Sequence, residues 1–162
     1  MIFITIGTQE PFDRLIQAMD EMAAEMPHIE FIAQTMKGVY VPKHMKCYDF
    51  LLPSQFDDYF ENAELIVSHA GMGTIISALV KERPIIVIPR LLANKEHRSD
   101  HQIATARAIA GLGYVNVAYD ITELKNKLKT LIQEPKVLHK LERFASEELI
   151  EDLKTFIKTP KK

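Results

Sequence analysis

Apolar positions along this chain change period several times, and each change marks an element. Met1 to Ile6 is apolar except for Thr5 and rich in β-branched side chains, the pattern of a strand buried on both faces. Phe12, Leu15, Ile16, Met19, Met22 and Ala23 then recur at helical spacing, with Pro11 suited to the first turn. Ile29 to Ala33, Lys46 to Leu51, Leu65 to Ser68, Ile85 to Ile88 and Tyr114 to Ala118 read as further strands. Apart from the connector between Ala33 and Lys46, the intervening segments read as helices. Ser54 caps one that runs to about Asn62, and Met72, Ile75, Ile76, Leu79 and Val80 form the apolar face of the next, which Pro84 stops. Ser99 or Asp100 caps a helix carrying Ile103, Ala106 and Ile109, closed by Gly111 and Gly113. Asp120 or Thr122 opens another to about Gln133. Pro135 breaks it before a last helix with Leu138, Leu141, Ala145, Leu149, Leu153 and Phe156.

Strands alternating with helices predict an α/β fold: one Rossmann-like, doubly wound parallel sheet of about six or seven strands. The domain is expected over residues 1–158, with a frayed tail at 159–162. In such sheets ligands bind beyond the carboxyl ends of the strands. That rim receives two segments, GTQEP after the first strand and SHAGMGT between Val67 and Ile75.

Composition narrows the setting. The 162 residues are 47% hydrophobic and 26% charged, enough for a core without staples. A formal net charge of -2 gives no electrostatic reason to expect nucleic acid. One cysteine, Cys47, excludes an internal disulfide and suits a reducing compartment. The apolar start has no basic n-region, and no stretch reaches the roughly 18 apolar residues of a membrane span. A soluble chain that meets a membrane only through a partner is expected.

SHAGMGT carries the clearest chemistry. A helix start exposes unpaired N–H groups and the positive end of the dipole, which favours anions. Gly71 and Gly73 lack Cβ and let a phosphate approach the backbone, Thr74 adds a hydroxyl donor, and His69 brings a ring nitrogen to the strand end. The dinucleotide fingerprint is absent: its third glycine falls at Ile76, and no strand-end acid follows about twenty residues on. A Walker A lysine is absent too. A tight strand-to-helix turn, with His69 bonded to backbone, accounts equally well for the glycines alone.

The second candidate is the polar loop from Pro89, which gathers Arg90, Lys95, Glu96, His97, Arg98, Asp100, His101 and Gln102. Arginine and lysine can hold phosphate, and Glu, Asp and Gln can hold sugar hydroxyls. A solvated loop is the alternative. His97 and His101 stand four apart with Asp100 between them, but the helix cap at Ser99 or Asp100 argues against a shared metal-binding face. No metal and no cofactor is expected.

HAGMGT, PIIVIPR and EHRSDHQ, in that order after GTQEPFDRL, resemble the carboxyl-terminal, donor-binding half of GT-B glycosyltransferases of the MurG type. The resemblance is greatest to short stand-alone members. These are PssE- and EpsF-like exopolysaccharide subunits and the eukaryotic donor-binding subunit of chitobiosyl-dolichol synthesis. It runs from Met1 to about Gly113 and implies a UDP-sugar donor. By resemblance, the turn from His69 through Gly71, Met72 and Gly73 to Thr74 holds the diphosphate, and Gly7 and Thr8 face the same cleft. Glu96, His101 and Gln102 reach the donor sugar. Ser77 stands where the MurG type has a ribose-binding Glu, a departure that favours the PssE-like branch.

A GT-B enzyme has two such domains and this chain has one. The resemblance therefore implies a membrane-associated, PssD-like partner that binds a lipid-linked sugar acceptor, with this chain cytoplasmic and peripheral to the inner face. The expected reaction is hexosyl transfer with UDP as leaving group, stabilised by helix N–H groups rather than a cation. The general base is expected on the partner. Within this chain the catalytic candidates are His69, beside the leaving diphosphate, and His101; His97 or His101 is the alternative base, imidazole being the usual side chain for general acid–base work. A nucleotide-binding or regulatory subunit without transferase activity is the alternative.

Overall fold

A computed structural model describes residues 1–8, 10–96, 99–112, 115–134 and 155. The elements alternate as expected: β1 (Ile2–Thr5), α1 (Asp13–Glu25), β2 (Phe31–Gln34), β3 (Lys46–Tyr48), α2 (Pro53–Asn62), β4 (Leu65–His69) and α3 (Met72–Val80). After these come β5 (Ile85–Ile88), a 3-10 turn (Leu92–Asn94), α4 (His101–Leu112), β6 (Asn116–Val117) and α5 (Ile121–Gln133). The strands form one parallel six-stranded sheet in the order β3-β2-β1-β4-β5-β6.

This order follows from pleat and handedness. Successive residues of a buried strand face opposite layers, so both layers must be covered. Ile2, Ile4, Val67, Ile86 and Ile88 face one layer with α1 and α5, and Phe3, Ile32, Ile66, Ile85 and Val87 face the other with α2, α3 and α4. Right-handed crossovers that leave β1 toward β2 and β4 toward β5 in opposite directions put α1 and α3 on opposite layers. Between β1 and β4 the connections diverge, and a crevice opens beyond their carboxyl ends.

The connector from β2 to β3 is strapped to α1. The Asp13 carboxylate accepts from the backbone N–H of Val39 (3.2 Å) and Tyr40 (3.1 Å). Buried Asp20 accepts from the Tyr40 hydroxyl (2.7 Å) and from the N–H of Lys43 (3.1 Å) and His44 (2.7 Å). The facing surfaces of α1 and α5 add Lys125–Glu21 and Lys129–Glu25 ion pairs.

Several local expectations need correction. Pro11 precedes α1, which starts at Asp13 after Phe12. The cap of α2 is Leu52 rather than Ser54, with Pro53 filling the first position, where a missing N–H costs nothing. Val80 is 55% exposed, because Ala78 and Leu79 turn toward the core instead. Gly111 lies inside α4, which continues to Leu112. β3 stops at Tyr48 because it is an edge strand with a partner only in β2. Asp120 does cap α5, accepting from Glu123 N–H at 2.8 Å. The expected last helix and the tail at 159–162 lie outside the described residues.

Candidate functional site

The crevice between β1 and β4 is lined from both sides by the two segments that the sequence placed there. A cleft of about 760 Å³ is bordered by Ile6, Gly7, Thr8 and Glu10 after β1, and by His69, Gly71, Gly73 and Thr74 at the β4–α3 turn. Arg90 and Gln102 close its third side.

The β4–α3 turn is built around the His69 ring. Gly7 adopts φ +77°, a region open mainly to glycine. A Cβ on Gly7 would lie 3.0 Å from Nε2 of His69, and one on Gly71 would lie 2.2 Å from its Cε1. Both glycines therefore make room for the imidazole. Gly73 differs: a Cβ there would meet nothing within 4 Å, because the residue faces the open cleft. The two glycines of the GMG motif thus do separate work. Gly71 is the N-cap of α3 and offers no side chain to cap it, so among the described residues no side chain takes up the N–H groups of the first turn, which suit an outside acceptor. Thr74 sits on that turn, at the edge of the cleft.

A second lobe of about 400 Å³ adjoins the first and shares Gly7, Thr8, Gly73 and Thr74 with it. Phe50, Leu51, Pro53, Phe56 and Phe60 supply its apolar walls. Thr5 and Gln34 are register partners on adjacent strands and form a polar floor. Gln34 is 2% exposed, and its Oε1 has no hydrogen-bond partner among the described residues. A buried acceptor in that condition is suited to a donor brought by a ligand or a water. Ser77, one turn beyond Gly73, also lines this lobe. The sequence reading missed the lobe. Phe56 and Phe60 belong to an ordinary amphipathic helix and Phe50 to the connector before it, and only the pairing of β3 beside β2 turns them toward the crevice.

The polar loop after β5 behaves differently from its expected role. Arg90 is 3% exposed and its guanidinium is occupied by main-chain oxygens. Nη1 donates to the carbonyls of Pro11 (2.8 Å) and Glu96 (3.2 Å), and Nη2 to those of Ile6 (2.6 Å) and Glu10 (2.7 Å). The group also stacks 4.7 Å over the Phe12 ring. Burial pulls its pKa below the usual guanidinium value, and the charges of Glu10 and Glu96 oppose that. Arg90 therefore holds the β1–α1 loop in shape, its terminal N–H groups on main-chain carbonyls beside the cleft it lines. Glu96 is likewise engaged: it forms a two-point ion pair with Arg14 (2.9 and 3.0 Å) and accepts from Leu91 N–H (3.0 Å). Its carboxylate ties the loop to α1 rather than facing the cleft.

Gln102 does reach the cleft, 3.1 Å from Nδ1 of His69. His101 begins α4 and is exposed, outside the residues lining either lobe. Met72 packs against the α2–α3 layer instead of lining the cleft. His97 lies outside the described residues. Of the expected set, the fold gathers Gly7, Thr8, His69, Gly71, Gly73, Thr74, Ser77, Arg90 and Gln102 around one connected space.

Residues 1–157 match the family model described as "Glycosyltransferase family 28 C-terminal domain". The chain belongs to this family. Among curated relatives, the UDP-N-acetylglucosamine transferase subunit ALG13 of Candida albicans is 38% identical over 76 residues, covering 47% of this chain and 24% of the relative. The Mus musculus protein of the same name is 26% identical over 123 residues, covering 70% of this chain and 10% of that one. The chain thus spans between a tenth and a half of the length of the curated relatives it matches. Among solved structures, MurG of Acinetobacter baumannii superposes with a TM-score of 0.63 at 15% identity, covering 94% of this chain and 49% of MurG. A solution structure of ALG13 gives 0.56 at 19% identity, covering 90% of this chain and 96% of that one. The sheet is that of the C-terminal half of a GT-B fold, and family 28 membership fits a cleft at its switch point. No helix among the described residues is long and apolar enough to cross a membrane.

Proposed function

We propose that this chain is the donor-binding part of a glycosyltransferase and takes its sugar from a UDP-sugar. The observation that carries the reading is the uncapped start of α3, with Gly73 open to the cleft and His69 beside it, at the switch point of the sheet. The apolar lobe with its Gln34 floor suits a pyrimidine base, and Ser77 stands where the ribose follows. Gly73 and Thr74 then meet the diphosphate, and the larger cleft beyond takes the sugar. The names of the curated relatives make UDP-N-acetylglucosamine the first donor to test.

In the reaction, an acceptor hydroxyl oxygen bonds to the anomeric carbon while the bond from that carbon to the β-phosphate oxygen breaks. UDP leaves with the electron pair. The N–H groups of α3 and the helix dipole stabilise the charge that develops on it. The acceptor's proton goes to a base, which we place on a second, acceptor-binding polypeptide. We further propose a PssE-like setting: a membrane-associated, PssD-like subunit presents a lipid-linked acceptor, and the product enters exopolysaccharide synthesis. The GTQEPFDRL and EHRSDHQ motifs support that setting.

The test is release of UDP from UDP-N-acetylglucosamine by the chain co-expressed with its acceptor subunit and given lipid-linked acceptor. Transfer that disappears in Thr74→Val supports the proposal. Tight UDP binding without transfer would assign the chain to a regulatory nucleotide-binding role instead.

A further inference from the structure

Gln102 sits between two partners whose chemistry fixes its orientation. The side chain is 6% exposed. Its Oε1 accepts from the backbone N–H of Arg90 at 3.0 Å, and its Nε2 lies 3.1 Å from Nδ1 of His69. A backbone N–H only donates, so the amide oxygen must face Arg90. Turning the amide over would set two donors against each other. The NH₂ group therefore faces His69, and Nδ1 must accept. A neutral imidazole carries one proton, which this arrangement leaves on Nε2.

The relay has a rigid origin. Arg90 follows directly on Ile88 and Pro89 at the end of β5, and its guanidinium is clamped by four main-chain carbonyls. Nε2 of His69 would lie 3.0 Å from a Cβ on Gly7 and 2.7 Å from one on Gly71. That nitrogen thus faces the gap between the β1 loop and the start of α3, both walls of the cleft.

We infer that Gln102 is a positioning residue, which fixes His69 in the Nε2–H tautomer so that the ring presents a proton donor, not a base, to the cleft. The donor then adds to the α3 N–H groups against an anionic oxygen. Its pairing with a diphosphate rests on the donor-site reading above, whereas the tautomer does not. The inference also separates His69 from the proton-accepting step, which needs a different group.

The experiment is long-range ¹H–¹⁵N correlation on ¹⁵N-histidine-labelled protein, with the His69 signals assigned by their loss in His69→Asn. In the wild type, Nδ1 is expected to appear as an unprotonated ring nitrogen and Nε2 as a protonated one. In Gln102→Glu, a carboxylate accepts from both neighbours, so protonation is expected at Nδ1. In Gln102→Met, which keeps the volume without the amide, the two tautomers should mix. A purely structural glutamine would change stability and leave this pattern alone. A wild-type ring protonated at Nδ1, or an unchanged pattern in both variants, overturns the inference. UDP titration of the same samples separates the two readings. We expect binding at least about tenfold weaker in Gln102→Glu. The predicted tautomers without any UDP binding by the wild type would overturn the donor-site reading alone.

Discussion

A methyl group on Gly71 would stand 2.2 Å from Cε1 of His69, so the N-cap of α3 and the last side chain of β4 occupy one indivisible space. Gly71→Ala must displace the ring or the turn. We expect about 1–3 kcal/mol of destabilisation, the usual cost of overpacking, together with loss of UDP binding. Thermal denaturation and titration of the same variant check this.

Gly73 predicts the opposite division, because nothing lies within 4 Å of its missing Cβ. Gly73→Leu should leave stability within about 1 kcal/mol of wild type and weaken UDP binding at least about tenfold. A variant that binds UDP normally would remove the diphosphate from this turn.

Arg90→Met should destabilise by about 3 kcal/mol or more, since it leaves several buried carbonyls of the β1–α1 loop without donors. Arg90→Lys should restore little of that, because one ammonium cannot span the fork-shaped set of acceptors. Chemical denaturation decides the point.

Glu96 and Arg14 should behave as a coupled pair. Their side chains are 8% and 22% exposed and meet at two points. Glu96→Gln and Arg14→Met should each destabilise, and the double variant should fall short of their sum by about 1–3 kcal/mol. Additive losses would show that the pair is not energetically linked.

Stability should also respond to pH through Asp20 and Tyr40. Burial alone would raise the Asp20 carboxyl, but hydrogen bonds from Tyr40, His44 and Lys43 outweigh it and hold the pKa below the usual value. That contribution is present above the unfolded pKa of about 4 and is lost as pH falls through the lower folded value. The Tyr40 phenol is pushed up to about 12 by its bond to Asp20. Its contribution is present below the unfolded value of about 10 and is lost as pH rises through the folded one. Urea melts of wild type and Asp20→Asn should therefore differ most at neutral pH and converge below about pH 4.

Much of the fold was legible because strand and helix periods do not overlap. The run from Ile2 to Ile6 is short, β-branched and ended by Gly7, which marks a strand, and the Leu15, Ile16, Met19, Met22 spacing fits the helical period. The boundaries were less legible, since Pro53 and Gly111 are tolerated inside the first and last turns of helices. In the site, SHAGMGT was readable because its chemistry is local. The loop after β5 was not. Arg90 and Glu96 look the same in sequence whether they face a ligand or close the fold, and their partners Ile6, Glu10 and Arg14 are 84, 80 and 82 residues away. The Gln34 floor depends on register across β1 and β2, which no single segment encodes.

The central claim is tested most directly by calorimetric titration of the purified chain with UDP, GDP and NAD. UDP should bind in clear preference to the other two, and at least about tenfold more weakly in Gly73→Leu. Preference for NAD, or no UDP binding either by the chain alone or by the chain co-expressed with the proposed acceptor-binding partner, would contradict the donor-site reading.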